Sequence, residues 1–440
     1  MNGGRIFVAL LILVGAIGAV INGAPIYSRL LYLGTLLAVL GFLWIRWVAR
    51  SLSVHRSARL MRANVGDIFE EHFEVTNKSS LIAPWVEVSN ETSMPYAAGS
   101  RLLTLLGGKQ KRSYIARTWL TRRGGYPLGP TLLTVGDPFG LFRVTRHSPV
   151  TQSLIVLPML VNIPSFISPP GLLPGGQVIR RKSADMTPHA SGVREYVHGD
   201  AMKRIHWPTS ARRGQLMVKE FDQDPQSEVW LILDAQEKVH VEKKHRRNDE
   251  VPEDSMLFGR RPKFQLPPST IEYSVTIAAS LASYFLLQRR AVGLISTGHT
   301  MTVLPADRSE RQEGKILETL AFVEPRGRLS LAELVGAQAS QLPQGSSAIL
   351  ITPTVHTDLL VAVNDLQRRN LRPVVVLLNA STFGGERGTE KLVRSLDESK
   401  VPVCLIICDT NLTLALSSFS SEIVYQDIHS WQRPPLPYSI

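Results

Sequence analysis

The chain has 440 residues. A single hydrophobic core rarely serves a chain of this length, so two or three domains are expected. Hydrophobic residues make up 44% of the sequence and charged residues 20%, which excludes a protein built mostly of membrane spans. The net charge of +12 fits either nucleic acid or an anionic membrane surface. Because no nucleic-acid recognition motif accompanies this charge, we expect no nucleic-acid partner.

Two apolar segments begin the chain, Ile6 to Ile21 and Ile26 to Val48, separated by the turn sequence Asn-Gly-Ala-Pro. A bilayer span takes about 20 apolar residues, and positive charge beside a span stays in the cytoplasm. Arginines follow the second segment. We therefore predict two transmembrane helices within residues 1–55, a multi-pass anchor in the cell membrane with membrane lipid around it and the soluble domains cytoplasmic. A cleaved signal peptide is the alternative interpretation of the first segment.

Residues 62–160 alternate apolar and polar positions over short segments that end in turn residues, for example Ile68, Phe73 and Val75 before Asn77. This pattern predicts a β-sandwich domain. Residues 161–227 follow as a linker, rich in Pro and Gly at first, that leads into a block of mixed charged and aromatic residues.

Residues 228–440 alternate continuous apolar strands with helical segments, which predicts a Rossmann-like parallel sheet covered on both faces. Ser269 and Glu272 form a predicted capping box at the start of one helix. The charged segment 237–268 is predicted to be an insertion in this domain. Cys404 and Cys408 lie four residues apart on one predicted strand, about 13 Å, which is too far for a disulfide.

The block from Gly192 to Phe221 resembles the signature of the domain-of-unknown-function fifty-eight family. Segments beginning at Arg123 ("RGGYPLGP") and Gly136 ("GDPFGLF") resemble upstream elements of the same family. One position departs from the pattern, because His206 stands where the family usually has Asp. The matching residues are Arg194, Glu195, Tyr196, Gly199, Asp200, Arg204, Ile205, Trp207, Ser210, Ala211, Arg212, Gly214, Glu220 and Phe221.

The resemblance implies that the C-terminal domain is similar to a von Willebrand factor A domain. Such domains often bind Mg²⁺ through an Asp-x-Ser-x-Ser loop after the first strand, helped by a later Thr. Here Asp234 is present, but Gln236 and Lys238 replace both serines, and Thr352 is followed by Pro353. We therefore expect a degenerate site at Asp234 with no metal and no cofactor.

Two roles are open for the signature block. In the first, its arginines pair with Glu195, Asp200 and Glu220 while Tyr196 and Trp207 pack beneath them, which would lock the segment onto the domain. In the second, the arginines form an exposed basic surface for an acidic partner or anionic lipid. The many acids and aromatic residues favour the first role.

No nucleotide-binding loop, metalloprotease motif or nucleophile elbow occurs in the sequence, so an enzyme is not expected. We predict a non-catalytic membrane-anchored scaffold or adaptor that docks a protein partner. The family resemblance suggests a MoxR-type AAA+ ATPase as that partner. The alternative is an enzyme or cell-envelope factor of unrecognised type that uses the signature block, which would require a cleft that groups Asp234, His206 and Asp200.

Overall fold

The computed structural model describes residues 3–149, 152–167, 190–197, 202, 205–221, 228–243, 264–298 and 300–419. Within these ranges, residues 190–194 and 219–221 are described by their backbone. The chain divides into two compact units, which are Met1–Met159 with Leu320–Phe322, and Leu160–Thr319 with Val323–Ile440. The predicted insertion lies largely outside the described residues.

Two antiparallel apolar helices begin the first unit, α1 (Gly3–Ile21) and α2 (Pro25–Ser51), and both are long and apolar enough to cross a membrane. Glycines allow the two helices to approach closely. A Cβ atom added at Gly15 would lie 2.6 Å from the backbone nitrogen of Leu31, so any larger residue would force the helices apart.

Helix α2 continues beyond the length that a bilayer needs. Its 27 residues extend about 40 Å at 1.5 Å per residue, whereas the hydrocarbon layer is about 30 Å thick. The last two turns contribute Ile45, Val48 and Ala49 to the hydrophobic core of the β-rich part of this unit. The helix therefore enters the folded unit directly, without a flexible linker.

The β-rich part contains sheets with the strand orders β1-β3-β6, β2-β10-β7 and β5-β4-β8-β9. Its core is formed by alternate residues of the long strands, such as Phe73 and Val75, together with the end of α2. The strands are β1 (Leu52–Ala58), β2 (Arg62–Asn64), β3 (Ile68–Asn77), β4 (Ala83–Asn90), β5 (Arg101–Leu106), β6 (Lys111–Trp119), β7 (Gly124–Leu128), β8 (Thr131–Gly136), β9 (Arg143–Ser148) and β10 (Gln152–Leu157).

The second unit contains a two-stranded sheet and a six-stranded sheet with the order β15-β14-β13-β16-β17-β18. Its elements are β11 (Ala190–Glu195), α3 (Trp207–Arg213), β12 (Met217–Phe221), β13 (Val229–Leu233), α4 (Thr270–Leu287), β14 (Val292–Thr297), β15 (Met301–Asp307), α5 (Glu310–Ala321), α6 (Leu331–Gln338), β16 (Ser347–Thr352), α7 (Asp358–Arg368), β17 (Arg372–Leu378), α8 (Thr389–Glu398) and β18 (Val403–Ile406). Residues 412–419 are also helical.

The six-stranded sheet is mixed, and not purely parallel as predicted. Strand β15 pairs antiparallel with β14, whereas the other neighbouring strands pair in parallel. The sequence did not reveal β15, because Pro305 interrupts its apolar pattern; a proline is tolerated there since β15 lies at the edge of the sheet. The apolar helix α4 also meets the length and hydropathy of a membrane span, but 72% of it is buried within the protein.

The predicted capping box at the start of α4 does not form. Ser269 occupies the N-cap position without a side-chain hydrogen bond to the helix. The hydroxyl of the next residue, Thr270, instead accepts a hydrogen bond from the backbone nitrogen of Val241 at 2.9 Å. Elsewhere in this unit neither Cys404 nor Cys408 forms a disulfide; the first is buried and the second half-buried.

Candidate functional site

The described part of the signature block folds as an antiparallel pair of strands, β11 and β12, with the short helix α3 immediately before β12. Pro208 stands in the first turn of α3, where its missing N–H costs no hydrogen bond. Gly214 ends the helix with a φ of +66°, a conformation that favours glycine. Pro208 and Gly214 therefore explain where α3 begins and ends.

Three members of the block hold α3 against β12. The hydroxyl of Ser210 accepts a hydrogen bond from the backbone nitrogen of Met217 at 2.8 Å. The same hydroxyl lies 3.0 Å from the carbonyl of His206, to which it donates. The backbone nitrogen of His206 donates to the carbonyl of Met217 at 2.8 Å, and the Met217 side chain is buried. The block thus contains a compact buried lock.

His206, the position at which the family resemblance leads us to expect Asp, occupies the N-cap position of α3. An aspartate at this position would accept hydrogen bonds from free backbone N–H groups of the first helical turn. The imidazole makes no such bond; its Nδ1 atom instead lies 2.7 Å from the hydroxyl of Thr209. The His206 side chain therefore contacts the first turn of α3 through another side chain and leaves the backbone N–H groups uncapped by its own ring.

The expectation that Trp207 packs beneath the block is wrong. Its side chain is 62% exposed, and Arg212 and Arg213 on the same helix are exposed as well. The physical reason is the length of α3. A helix of only two turns packs one narrow face against the strand, and Ser210 occupies that face. Leu216, which follows the helix, is also exposed.

The structure describes only some of the remaining residues predicted for the signature block. Glu195 is exposed and Tyr196 is half-buried, with its backbone nitrogen bonded to the carbonyl of Leu216. Several predictions lie outside the described residues, namely Gly199, Asp200 and Arg204, together with the side chains of Arg194, Glu220 and Phe221. The predicted ion pairs with Asp200 and Glu220 are among these.

A second candidate lies at the centre of the six-stranded sheet. The chain proceeds from β13 to β14 on one side, and β16 lies on the other side, so the carboxyl ends of β13 and β16 form a topological switch point. Open α/β sheets bind ligands at such points. Asp234 follows β13 and Thr352 ends β16, and the Thr352 hydroxyl donates a hydrogen bond to Oδ2 of Asp234 at 2.7 Å.

The carboxylate of Asp234 is closed off from solvent, with only 1% of the residue exposed. Its second oxygen, Oδ1, accepts a hydrogen bond from the backbone nitrogen of Gln236 at 3.0 Å. Burial raises the pKa of Asp234 to about 6, although the hydrogen bonds from Thr352 and Gln236 oppose this shift. Both oxygens are thus already used inside the protein.

This arrangement does not fit a bound Mg²⁺, which requires several open oxygen ligands. The side chain two residues after Asp234 is the amide of Gln236, and the exposed Lys238 follows where a serine would be needed. Within the described ranges, no group of three or more His, Cys, Asp or Glu side chains is placed to hold a metal ion.

Residues that the sequence did not mark hold the loop after β13 in place. Nε2 of His240 donates to the carbonyl of Asp234 at 2.8 Å, and its Nδ1 lies 3.0 Å from the Thr270 hydroxyl. Gly327 packs against the backbone of Thr297 and Ala235, and a Cβ added there would lie 2.1 Å from the carbonyl oxygen of Thr297. A lone glycine between helices looks like any loop residue, so no sequence signal identified it.

The two candidate places use separate hydrogen-bond partners. Asp234 is bonded to Gln236 and Thr352, whereas the bonds of His206 are made within the α3 and β12 segment. Asp200 lies outside the described residues. Among the residues that the structure describes, the hydrogen bonds therefore do not join Asp234 and His206 into one site.

The fold and these sites define a class of protein with two N-terminal apolar helices and a mixed α/β body. Residues 192–410 match the family described as "Protein of unknown function DUF58", and the chain belongs to this family. The uncharacterized protein YeaD of Bacillus subtilis strain 168 is 23% identical over 260 residues. That match covers 57% of this chain and 56% of YeaD, so it spans little more than half of the relative's length.

Solved structures show only remote likeness. The CARDB domain of the PF1109 protein from Pyrococcus furiosus is 16% identical, covers 24% of this chain and 91% of its own, and gives a TM-score of 0.18. Proximal thread matrix protein 1 from the mussel byssus is 10% identical over 45% of this chain and 47% of its own, with a TM-score of 0.26. Scores this low carry no argument about fold or function.

Proposed function

We propose that the protein is a non-catalytic, membrane-anchored adaptor that docks a protein partner at the cytoplasmic face. The observation that carries this proposal is the division of the signature block into two parts. Ser210 and Met217 form a buried lock, while Trp207, Arg212 and Arg213 are exposed on α3. Tryptophan and arginine are the residues that most often dominate protein–protein binding energy.

The geometry of α3 suits a docking role. An exposed tryptophan offers a large apolar area on a backbone whose position is fixed by the lock, so little conformational entropy is lost on binding. The neighbouring arginines would pair with acidic groups of the partner. A MoxR-type AAA+ ATPase is the partner that we propose to test, because the family resemblance suggests it.

The closed carboxylate at the sheet switch point supports the non-catalytic part of the proposal. A general acid or metal ligand must reach its substrate or ion, whereas Asp234 is buried and bonded at both oxygens. We further propose that the second unit is a von Willebrand factor A-like domain whose metal position has become structural, and that the β-rich unit is a β-sandwich.

The anchor supports a membrane location. We propose that α1 and α2 both cross the cell membrane and that the soluble units lie on the cytoplasmic side, because basic residues follow α2. The direct continuation of α2 into the core of the β-rich unit would hold that unit at the membrane surface. An adaptor built in this way presents its partner close to the bilayer.

The test is a pull-down of the detergent-solubilised full chain from its own cells, with and without ATP and Mg²⁺. We expect an AAA+ ATPase to be recovered in a nucleotide-dependent manner. Trp207→Ala and the double change Arg212→Ala with Arg213→Ala should each reduce recovery strongly. Because these side chains are exposed, the thermal unfolding temperature should stay the same.

Matched controls separate docking from general surface effects. Leu287→Ala removes an apolar side chain at the end of α4 that is even more exposed than Trp207, and Arg368→Ala removes an exposed arginine from α7. Both should leave recovery unchanged. The adaptor proposal is overturned if no partner is captured under either condition, and the α3 surface is wrong if the partner binds all variants equally.

A further inference from the structure

The loop between β8 and β9, residues Asp137 to Phe142, is held in one shape by its own first residue. Asp137 is buried, and its carboxylate accepts hydrogen bonds from the backbone nitrogens of Phe139 and Phe142. Gly140 takes a φ of +68° at the bend. The fixed loop leaves Phe139 at its tip with 46% of the residue exposed.

This loop contacts the non-turn end of the helical hairpin. The side chain of Arg5 donates a hydrogen bond to the carbonyl of Leu141. A Cβ added at Gly4 would lie 3.3 Å from the carbonyl oxygen of Phe139. On the other helix, the ring of Phe42 meets the ring of Phe142 edge-on, with 5.9 Å between the centroids.

The depth of the loop follows from helix length. The 19 residues of α1 extend about 28 Å, close to the roughly 30 Å thickness of the hydrocarbon layer. If α1 spans the membrane, its first turn lies at the boundary with the headgroups, and the loop that touches Gly4 and Arg5 lies at the same depth. The exposed Trp47 of α2 is near this end of the hairpin, where interfacial aromatic residues accumulate.

We propose that the Asp137–Phe142 loop is a membrane-contact element whose Phe139 side chain enters the headgroup region of the phospholipid bilayer. An aromatic ring gains from leaving water at this depth, and the exposed cations of Arg5, Arg46 and Arg50 around the hairpin end attract anionic headgroups. The β-rich unit then meets the membrane at a second point besides α2, which fixes its orientation to the surface. This inference rests on the proposed membrane span of α1 and α2.

The test uses nitroxide spin labels on the full chain in lipid nanodiscs, after both native cysteines are replaced by Cys404→Ala and Cys408→Ser. Labels are attached through Phe139→Cys, Val14→Cys and Leu60→Cys, one at a time. Val14 is exposed in the middle of α1, and Leu60 is exposed beyond the far end of β1, about 23 Å along that strand. The collision rates of each label with apolar O₂ and with a water-soluble nickel chelate are then compared.

We expect the ratio of oxygen to nickel collisions at position 139 to be several-fold higher than at position 60, and lower than at position 14. A ratio at position 139 equal to that at position 60, with position 14 in lipid, would overturn the loop proposal alone. A water-like ratio at position 14 would remove the membrane span itself and the loop proposal with it. The two failures are therefore distinguishable.

Discussion

Asp234→Asn is the substitution that most directly tests the closed site. Burial raises the pKa of the Asp234 carboxyl from 3.8 to about 6. Between these pH values the folded protein retains a proton that the unfolded chain has released, so the stability of the natural protein falls as pH rises through this window. The complete pKa shift corresponds to a loss of about 3 kcal/mol in the free energy of unfolding. This loss is reached near pH 6 and stays constant at higher pH.

An asparagine has nearly the same shape and stays neutral at every pH. The variant should therefore be of similar stability to the natural protein near pH 4, and more stable by about 2–3 kcal/mol at pH 7.5. Thr352→Val should have the opposite effect, because it removes a hydrogen bond that favours the charged carboxylate. Its destabilisation should be larger at pH 7.5 than near pH 4.

The assay is hydrogen exchange followed by mass spectrometry on peptides that contain β13 and β16, corrected for intrinsic exchange at each pH. Asp397→Asn, which changes an exposed carboxylate on α8, is the control and should produce no such pH-dependent difference. Equal destabilisation by Asp234→Asn at both pH values would refute the reasoning. The carboxylate would then make a contact that a neutral amide cannot replace.

Three further substitutions test local packing. Ser210→Ala leaves the buried N–H of Met217 without its acceptor and should destabilise the α3 and β12 segment by about 1–3 kcal/mol, measured by hydrogen exchange of β12. Gly327→Ala forces a methyl group against backbone atoms and should destabilise the second unit by about 1–3 kcal/mol or more. Gly314→Ala places its methyl group in open space on α5 and should stabilise that unit by up to about 1 kcal/mol. Urea unfolding of the second unit measures both changes. Gly15→Ala should lower the thermal unfolding temperature of the detergent-solubilised chain, because its methyl group would meet the backbone of α2.

The sequence itself determined most of the elements of the second unit. Strands β13, β14, β16 and β17 are buried on both faces and therefore read as continuous apolar runs. Length and hydropathy also indicated the two N-terminal helices, the second more directly than the first. Local composition is sufficient for the strands, because burial on both faces leaves no polar position to obscure the pattern. It is sufficient for the helices because their apolar runs have about the length that a bilayer requires.

Only the tertiary structure decided the features that depend on distant neighbours. Strand β15 is stabilised by its pairing with β14 at the edge of the sheet. Its own proline-containing sequence does not predict a strand. Asp234 and Thr352 are 118 positions apart, and only the parallel pairing of β13 with β16 brings them within a hydrogen bond. The exposure of Trp207 likewise followed from which side of α3 meets β12, since residue type alone does not tell whether an aromatic ring packs inward or faces a partner.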